Sequence, residues 1–375
     1  SSPLLHKIIP ICEPLLTGNE RKYVLDCLKT NWISSAGKYI QRFEKAFSRY
    51  CQTKYSVVCS SGTASLHLAL SACDITRGDE VIIPTFTMIA TANAVTYTGA
   101  KVIFVDAEPR TYNIDPDKIE KKVTPRTKAI IVVHTYGHPA DMDKILCIAK
   151  RYKLYVIEDA SEAHGAEYKG KRIGSIGDVG CFSFYGNKII TTGDGGMVVT
   201  NNRKIAKRSA YLRDHAFSTE RHFWHKDLGF NYRMTNLQAA VGLAQTERIS
   251  EFIRMKIKIG KYYDSLLKDI KGIILPPHTP GIKNVYWMYS ILVEDGFGIN
   301  RDRLRQRLAE RGIETRAFFI PIHLQPIYYK RENRNKFPIA EELCRKGLYL
   351  PSALTLKKRD IKYIVDTIFK IKQKC

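Results

Sequence analysis

The chain has 375 residues, of which 44% are hydrophobic, and a formal net charge of +23. A chain of this length and composition is predicted to form a globular protein with one large core and a second, smaller one. No apolar run approaches the ~18 residues of a membrane span, and the apolar stretch near the N-terminus is too short for a signal peptide. We therefore expect a cytoplasmic protein that does not enter a membrane.

The positive charge and the cysteines narrow the class further. Lys and Arg are spread along the whole chain without a basic block or a recognisable nucleic-acid-binding module, so we expect no nucleic-acid partner. General lysine richness explains the charge best, followed by an anionic substrate such as a nucleotide sugar. The nine cysteines form no C-x-x-C pair, which predicts reduced, mostly buried thiols rather than disulfides.

Apolar, strand-like runs alternate with helical patterns over the first 200 residues. Strands are predicted at 56–59, 80–83, 102–105, 129–133, 154–157, 179–184 and 197–200, and helices at 64–72, 115–123 and 141–152. This alternation predicts an α/β fold with a mostly parallel sheet covered by helices.

The pattern changes after about residue 247. A long basic amphipathic helix at 248–268 is followed by a Pro-rich linker, a strand at 287–293 and a helix at 301–311. We predict two domains on this basis, a large one at 1–250 and a smaller α+β one at 251–375.

A Ser-Gly-Thr turn provides the first candidate binding feature. Ser60-Ser61-Gly62-Thr63 follows a predicted strand and opens a predicted helix. Free backbone N–H groups and the positive end of a helix suit a phosphate group. An ordinary Ser or Thr helix cap explains the same residues equally well.

The predicted strand at 154–157 is followed by Glu158 and then by Asp159, which ends this run. Ligands of doubly wound sheets collect at the carboxyl ends of the strands, and a carboxylate there could keep a pyridinium nitrogen protonated. Capping of a helix at Ser161-Glu162-Ala163 is an equally good explanation of Asp159 alone.

Lys188 lies in Ser183-Phe184-Tyr185-Gly186-Asn187-Lys188, just before a Gly-rich stretch. A lysine removed from water has a lowered pKa, and its amine becomes a nucleophile. A solvated loop lysine is the common alternative. The order of anion turn, strand-end Asp and Ser-x-x-x-x-Lys favours a pyridoxal phosphate site.

Other patterns are weaker. His134 with His138 and His222 with His225 have no nearby carboxylate or clear helical context, so we predict no metal site. The run from Gly165 to Lys171 lacks the Ser or Thr of a phosphate-binding P-loop. No G-x-G-x-x-G follows a predicted strand, which gives a nicotinamide dehydrogenase little support.

Several stretches together resemble the DegT/StrS-type sugar-nucleotide aminotransferases, from about Ile9 to the C-terminus. They are 31–40, 133–139, 182–188, 229–236, Tyr286-Trp287-Met288 and Glu314-Thr315-Arg316. The resemblance implies an aspartate-aminotransferase-like fold of type I, with a large three-layer domain and a smaller C-terminal α+β domain. It also implies pyridoxal 5′-phosphate as cofactor, with pyridoxamine 5′-phosphate as an intermediate.

The resemblance assigns roles to individual positions. The cofactor phosphate would be held by Gly62, Thr63, Ser183 and Asn231, with Asn231 supplied by the neighbouring subunit of a homodimer with shared active sites. The other assigned residues are Asp159 at the pyridine nitrogen, Glu162 near the phenolic oxygen, Met88 against the ring, and Lys188 as the covalent attachment point and proton carrier. Phe86 is an alternative to Met88, because relatives commonly stack an aromatic side chain on the ring.

The implied reaction transfers an amino group from glutamate to C4 of a 4-keto-6-deoxy sugar nucleotide. GDP-4-keto-6-deoxymannose, giving GDP-perosamine, is favoured, while UDP- or dTDP-linked sugars and amination at C3 stay open. A related 3-dehydratase has histidine in place of the lysine, so Lys188 favours transamination. Candidate substrate contacts are Trp32, Ser35, His222 in the loop 221–225, and His323.

Two other classes remain as alternatives. A non-catalytic relative would bind the cofactor or a sugar as a sensor, but such a protein would normally lose the lysine that this chain keeps at 188. A basic nucleic-acid-binding protein would bind DNA or RNA in a salt-sensitive way and would be colourless.

Overall fold

The computed structural model describes residues 8–221 and 223–374. Strands in these ranges are β1 (Tyr55–Cys59), β2 (Glu80–Pro84), β3 (Lys101–Val105), β4 (Thr127–Val133), β5 (Tyr155–Asp159), β6 (Glu167–Tyr168), β7 (Lys171–Arg172), β8 (Val179–Ser183), β9 (Gly196–Thr200), β10 (Ile273–Ile274), β11 (Ile282–Lys283), β12 (Tyr289–Val293), β13 (Arg316–Ala317) and β14 (Gly347–Leu350).

The α-helices in the same ranges are α1 (Glu20–Thr30), α2 (Lys38–Cys51), α3 (Gly62–Ala72), α4 (Ile89–Tyr97), α5 (Pro116–Ile119), α6 (Met142–Tyr152), α7 (Arg203–Arg213), α8 (Asn236–Glu247), α9 (Ile249–Leu267), α10 (Arg301–Ala309), α11 (Pro338–Lys346) and α12 (Lys358–Gln373). No helix in this part of the chain is long and apolar enough to cross a membrane.

A seven-stranded sheet forms the centre of the molecule, in the order β1-β9-β8-β5-β4-β2-β3. Neighbouring strands are parallel except at β9, which is antiparallel to both β1 and β8. Most of these strands are continuous runs of Val and Ile, as expected where both faces are covered, and α2, α3, α4, α6 and α7 contact them. The predicted α/β fold is confirmed, and all seven predicted strands are present.

The helix α2 shows how sequence spacing places this covering layer. Its buried side chains are Tyr39, Phe43, Phe47 and Cys51. A spacing of four residues puts all of them on one face of the helix. The Phe43 and Phe47 rings contact Phe184, with ring centroids 5.1 and 5.2 Å apart, just after the end of β8.

A second sheet, β10-β12-β14-β13, lies in the C-terminal third. It shares a separate hydrophobic core with α9, α10 and α12, in which Tyr263, Tyr289 and Phe297 are fully buried. The small sheet β11-β6-β7 joins the two parts, because β11 pairs with β6. The predicted boundary at 250/251 falls at the start of α9 and stays a prediction.

Two predicted elements differ in detail. The helix predicted at 115–123 is the short α5, which tightens into a 3-10 turn at Glu120–Lys122. The strand predicted at 287–293 begins at Tyr289, because the Trp287 N–H donates to the Tyr136 carbonyl at 3.1 Å and not to the four-stranded sheet.

Candidate active site

A cavity of about 520 Å³ lies between the carboxyl ends of the large sheet and one edge of the four-stranded sheet. This volume is in the range of small-molecule sites. Seven predicted cofactor residues line it: Gly62, Thr63, Met88, Asp159, Glu162, Ser183 and Lys188. Residues up to 126 positions apart in the chain thus face one space.

The Ser-Gly-Thr turn lies at one end of the cavity. Ser61 caps α3 by accepting a hydrogen bond from the Ala64 N–H at 3.1 Å, so the helix-cap explanation is confirmed, while the anion-binding explanation stays a prediction. A Cβ atom on Gly62 would lie 2.6 Å from Cβ of Ser183, which no side chain tolerates. Glycine is therefore needed for the close approach of this turn to the Ser183 hydroxyl. Backbone N–H groups and two hydroxyls in this arrangement fit a phosphate.

Asp159 is the last residue of β5 and is 6% exposed. Its carboxylate accepts a hydrogen bond from the Thr91 hydroxyl at 2.9 Å and one from the Ser161 N–H at 3.3 Å. Residues 160–163 form a turn rather than a helix, so the helix-cap alternative for Asp159 is wrong. The carboxylate is held in a fixed direction at the edge of the cavity.

Lys188 ends a turn in which its own N–H donates to the Tyr185 carbonyl at 2.9 Å. Its Nζ lies 4.0 Å from the centre of the Trp287 ring, and the Trp287 indole N–H donates to the Asn187 carbonyl at 2.8 Å. The residue as a whole is partly exposed, but burial of its amine lowers the pKa, and the Glu162 and Asp159 carboxylates only partly offset this. A larger fraction of the amine is neutral and nucleophilic than in a solvated lysine.

Glu162 faces the same cavity from a buried position, 4% exposed. Its Oε2 accepts the Tyr136 N–H at 2.7 Å. Burial and the nearby Asp159 raise its pKa to about 7, against the opposing effects of Lys188 and the Tyr136 N–H. Glu162 therefore changes protonation near neutral pH, at the point where the resemblance places the phenolic oxygen of the cofactor.

Met88 and Phe86 differ in position. Met88 is half exposed and lines the cavity. Phe86 is fully buried, and its ring packs against Tyr136 and Phe319, with centroids 5.9 and 6.1 Å apart. Of the two candidates for a contact to the cofactor ring, only Met88 is near the cavity, and a thioether suits such a contact.

Asn231 does not line the cavity of its own chain. It pairs with Asp214 in a short β-bridge, and its side-chain oxygen accepts a hydrogen bond from Arg233 at 3.2 Å. Its assignment to a neighbouring subunit stays a prediction.

Three predicted substrate contacts in the described part of the chain, Trp32, Ser35 and His323, also lie outside the cavity lining. Trp32 is 56% exposed and Ser35 is exposed. His323 is buried, with its ring nitrogens 2.7 Å from the Thr85 hydroxyl and 3.2 Å from a Glu341 carboxylate oxygen. His222 lies outside the described residues.

Trp287, Arg316 and Tyr349 line the cavity but were not assigned from the sequence. Thr91, whose hydroxyl holds Asp159 from behind the lining, was not assigned either. Trp287 and Arg316 lie in two of the stretches that resemble the family, and this resemblance was the signal that could have identified them as site residues. Thr91 and Tyr349 belong to elements without a distinctive pattern, and nothing local marks either of them.

A larger cavity, of about 640 Å³, lies beside α5 and α6. Its charged side chains are paired with each other, as in Arg110–Glu108 at 3.4 Å and Lys144–Asp117 at 3.0 Å. It contains none of the predicted cofactor residues. The cavity at Lys188 is therefore the better candidate for chemistry.

A nucleophilic lysine and a fixed carboxylate facing one cavity at the strand ends of an α/β sheet define a lysine-dependent enzyme of the pyridoxal phosphate type. Residues 14–369 match the model of the DegT/DnrJ/EryC1/StrS aminotransferase family. The chain belongs to this family. The family and the aminotransferase activity predicted from the sequence are confirmed.

Individual relatives agree with this assignment. GDP-perosamine synthase of Caulobacter vibrioides is 46% identical, with 96% of this chain and 97% of the relative covered. The dTDP-3-amino-3,4,6-trideoxy-alpha-D-glucose transaminase of Streptomyces venezuelae is 36% identical, covering 88% and 86%. The structure of Streptococcus pneumoniae Spr1654 in its PLP form has a TM-score of 0.90 at 27% identity, covering 98% of this chain and 99% of that one. The predicted type I fold is confirmed.

Proposed function

We propose that this chain transfers the amino group of glutamate to C4 of GDP-4-keto-6-deoxymannose, giving GDP-perosamine for polysaccharide synthesis. The observation that carries the chemistry is the cavity in which Lys188, Asp159 and the Gly62-Thr63 turn meet. The choice of sugar is supported by the 46% identity to a GDP-perosamine synthase along nearly the whole chain.

The residues present fit pyridoxal phosphate. The Gly62-Thr63 turn and the Ser183 hydroxyl would hold the phosphate, Asp159 would hold the pyridine nitrogen and Lys188 would attach the cofactor. Asn187 also lines the cavity. Its buried side-chain oxygen has no hydrogen-bond partner in the described part of the chain, so it can accept a hydrogen bond from a ligand. When bound, the cofactor supplies an electron sink for the carbon that loses its proton.

The chain's own residues then carry the proton transfers. The Lys188 amine, with its lowered pKa, removes the proton from the α-carbon of glutamate and later delivers one to C4 of the sugar. Asp159 keeps its direction through the Thr91 hydroxyl and maintains the positive charge of the pyridine nitrogen.

The active site is shared between two subunits of a homodimer in this proposal, since Asn231 lies away from the cavity of its own chain. Mixing two inactive variants, Lys188→Ala and Asn231→Ala, tests this. Random exchange of subunits leaves one intact site in each mixed dimer, so about a quarter of the wild-type activity should return. No recovery after verified subunit exchange would contradict the shared site.

A second candidate is amination of a dTDP- or UDP-linked ketosugar, at C4 or C3. It is favoured by the 36% identity to a dTDP-sugar transaminase. The proposed location is the cytoplasm, supported by free thiols at all eight described cysteines.

The test offers glutamate with each of the GDP-, UDP- and dTDP-linked ketosugars and identifies the product by mass spectrometry and NMR. We expect a 4-amino sugar from the GDP-linked acceptor. Lys188→Ala and Lys188→His should give none, while Lys121→Ala, a change at an exposed lysine, should match the wild type. Amination of a dTDP- or UDP-linked sugar alone would contradict the proposed substrate, and product from Lys188→Ala would contradict the mechanism.

A further inference from the structure

One cation of the cavity has no partner among the residues that the structure describes. Arg316, on β13, lines the cavity together with Lys188 and is exposed to it. Its guanidinium makes no ion pair or hydrogen bond within residues 8–221 and 223–374. Arg301, near the same sheet, is different, because its guanidinium donates to the Cys344 and Gly347 carbonyls at 2.9 and 2.7 Å. Arg301 has a structural role, whereas the donors of Arg316 remain available.

A second donor, the Tyr349 hydroxyl, lies beside Arg316. Strands β13 and β14 are antiparallel, and Arg316 is directly opposite Tyr349. Side chains of directly opposed residues lie on the same face of a sheet, with Cβ atoms about 5 Å apart. Tyr349 is 4% exposed and also lines the cavity.

The Tyr349 hydroxyl is buried without a hydrogen bond of ordinary geometry in the described part of the chain. Burial and the neighbouring Tyr136 hydroxyl hold the pKa of Tyr349 well above its usual value, so it keeps its proton and remains a donor. The Tyr136 hydroxyl is a neighbouring acceptor, but the contact does not reach ordinary hydrogen-bond geometry. A carboxylate that accepts from Tyr349 would replace it with a stronger, charge-assisted hydrogen bond.

These donors lie on the same wall as the reactive amine. The Tyr349 ring is 6.3 Å from the Trp287 ring, and Nζ of Lys188 is 4.0 Å from the Trp287 ring centre. Asp159 and Glu162 face the cavity from the large sheet. An anionic group is therefore favoured on the Arg316 side and disfavoured on the other.

The chemistry of the amino donor matches this arrangement. In an α-amino acid the carboxylate is bonded to the carbon that carries the reacting amine, so it must lie close to Lys188. In the nucleotide sugar the sugar ring separates the diphosphate from the reacting C4. A planar guanidinium presents paired N–H donors to the two oxygens of a carboxylate, and a phenol can add a third donor.

We propose that Arg316 and Tyr349 bind the α-carboxylate of the amino donor and make this wall the donor-specificity site. This inference rests on the proposed aminotransferase reaction. It assigns to the four-stranded sheet the recognition of a small carboxylic acid, separately from the residues that hold the cofactor.

The kinetic test compares Arg316→Ala, Arg316→Lys and Tyr349→Phe with the wild type. Arg316→Ala should raise the KM for glutamate at least about tenfold, the effect of losing a hydrogen bond to a charged group, and leave the KM for the nucleotide sugar within about twofold. Arg316→Lys should recover part of the loss because it keeps the charge but not the paired donors. Arg359→Ala, which removes an arginine that is 78% exposed on α12, is the matched control and should change neither constant.

A binding measurement gives a readout that does not depend on turnover. Calorimetry with glutarate, a dicarboxylate without an amine, should show binding to the cofactor-loaded wild type and at least about tenfold weaker binding to Arg316→Ala. Equal glutarate affinity in both, or a raised KM for the nucleotide sugar with an unchanged KM for glutamate, would overturn the inference. If no nucleotide sugar is aminated but the glutarate difference persists, the proposed reaction fails while the carboxylate site stands.

Discussion

The two walls of the cavity are built in different ways. On the wall from the large sheet, Asp159 and Glu162 are each held by hydrogen bonds from the protein, at 2.9 and 2.7 Å. On the wall from the four-stranded sheet, Arg316 and the Tyr349 hydroxyl have no hydrogen bond of ordinary geometry in the described part of the chain. Groups that are fixed in advance suit a resident cofactor, whereas free donors suit a substrate that enters and leaves. Lys188 lies between the walls, against the Trp287 ring.

Replacing Asp159 by Asn should have the largest effect. The substitution keeps the shape of the side chain but removes the negative charge proposed to face the pyridine nitrogen. We therefore expect kcat to fall by about 10²–10³-fold with little change in fold. Steady-state kinetics with saturating glutamate measures this. If Asp159→Asn retains near-wild-type kcat while Arg316→Ala abolishes turnover, the assignment of the cofactor to the large-sheet wall and of the substrate to the other wall is wrong.

The second effect concerns pH. The folded pKa of Glu162 is raised from 4.5 to about 7, so between these values the folded state holds a proton that the unfolded state has lost. The contribution of Glu162 to stability is full below pH 4.5 and is lost as pH rises through 7, by up to about 3 kcal/mol. Urea unfolding of the cofactor-free protein should show that the free energy of unfolding of Glu162→Gln rises relative to that of the wild type as the pH increases from 4.5 to about 7.

Glu332→Gln, a change at an exposed glutamate, provides the control for this measurement and should follow the wild type at every pH. A Glu162→Gln profile parallel to that of the wild type would show that Glu162 is not a buried, proton-holding member of the cofactor wall.

Gly62→Ala tests the packing of the phosphate turn. The new Cβ would lie 2.6 Å from Cβ of Ser183, and relieving such overpacking costs about 1–3 kcal/mol of stability. The affinity for pyridoxal phosphate should fall with it, as measured by fluorescence titration. Gly296→Ala is matched, since its Cβ would meet its nearest atom at 3.8 Å, and should be tolerated. Unchanged stability and cofactor affinity in Gly62→Ala would refute the tight turn.

The smallest effect is expected at Trp287, where the two walls meet. Trp287→Phe keeps an aromatic ring but loses the indole N–H bond to the Asn187 carbonyl and weakens the contact with the Lys188 amine, worth about 0.5–2 kcal/mol. Uptake of pyridoxal phosphate by the cofactor-free protein should slow several-fold. Trp224→Phe, at another tryptophan that contacts a cation, Arg221, at 4.9 Å, should behave as wild type. The same slowing in both variants would argue against a specific role for Trp287.

The same comparison explains what could be predicted from the sequence. The large sheet is predictable because its strands are apolar runs separated by periodic helices, and Asp159 and Lys188 follow strand ends where ligands collect. The four-stranded sheet is built from short strands far apart in the chain, with β12 paired to β14 across more than fifty residues. No local pattern reports such pairings, so the placement of Arg316 opposite Tyr349 required the structure.

Helix α4 and the residues near it also show what could not be predicted from local sequence. Helix α4 has the sequence IATANAVTY, rich in β-branched and small residues, and its buried side chains leave no clear amphipathic period. It was therefore not predicted, and Thr91, which it carries to Asp159, was missed with it. Met88, which alignment with the family predicts to contact the cofactor ring, lines the cavity, whereas Phe86, two residues earlier, is buried in the core.

Mapping the site of covalent cofactor attachment tests the role of Lys188 most directly. The purified protein would be loaded with pyridoxal phosphate, reduced with borohydride, digested and mapped by mass spectrometry. We predict one phosphopyridoxyl group per chain, on the peptide that contains Lys188, and none in the Lys188→Ala variant. Attachment at another lysine such as the buried Lys256, or no stable attachment, would contradict the assignment of Lys188 as the cofactor lysine.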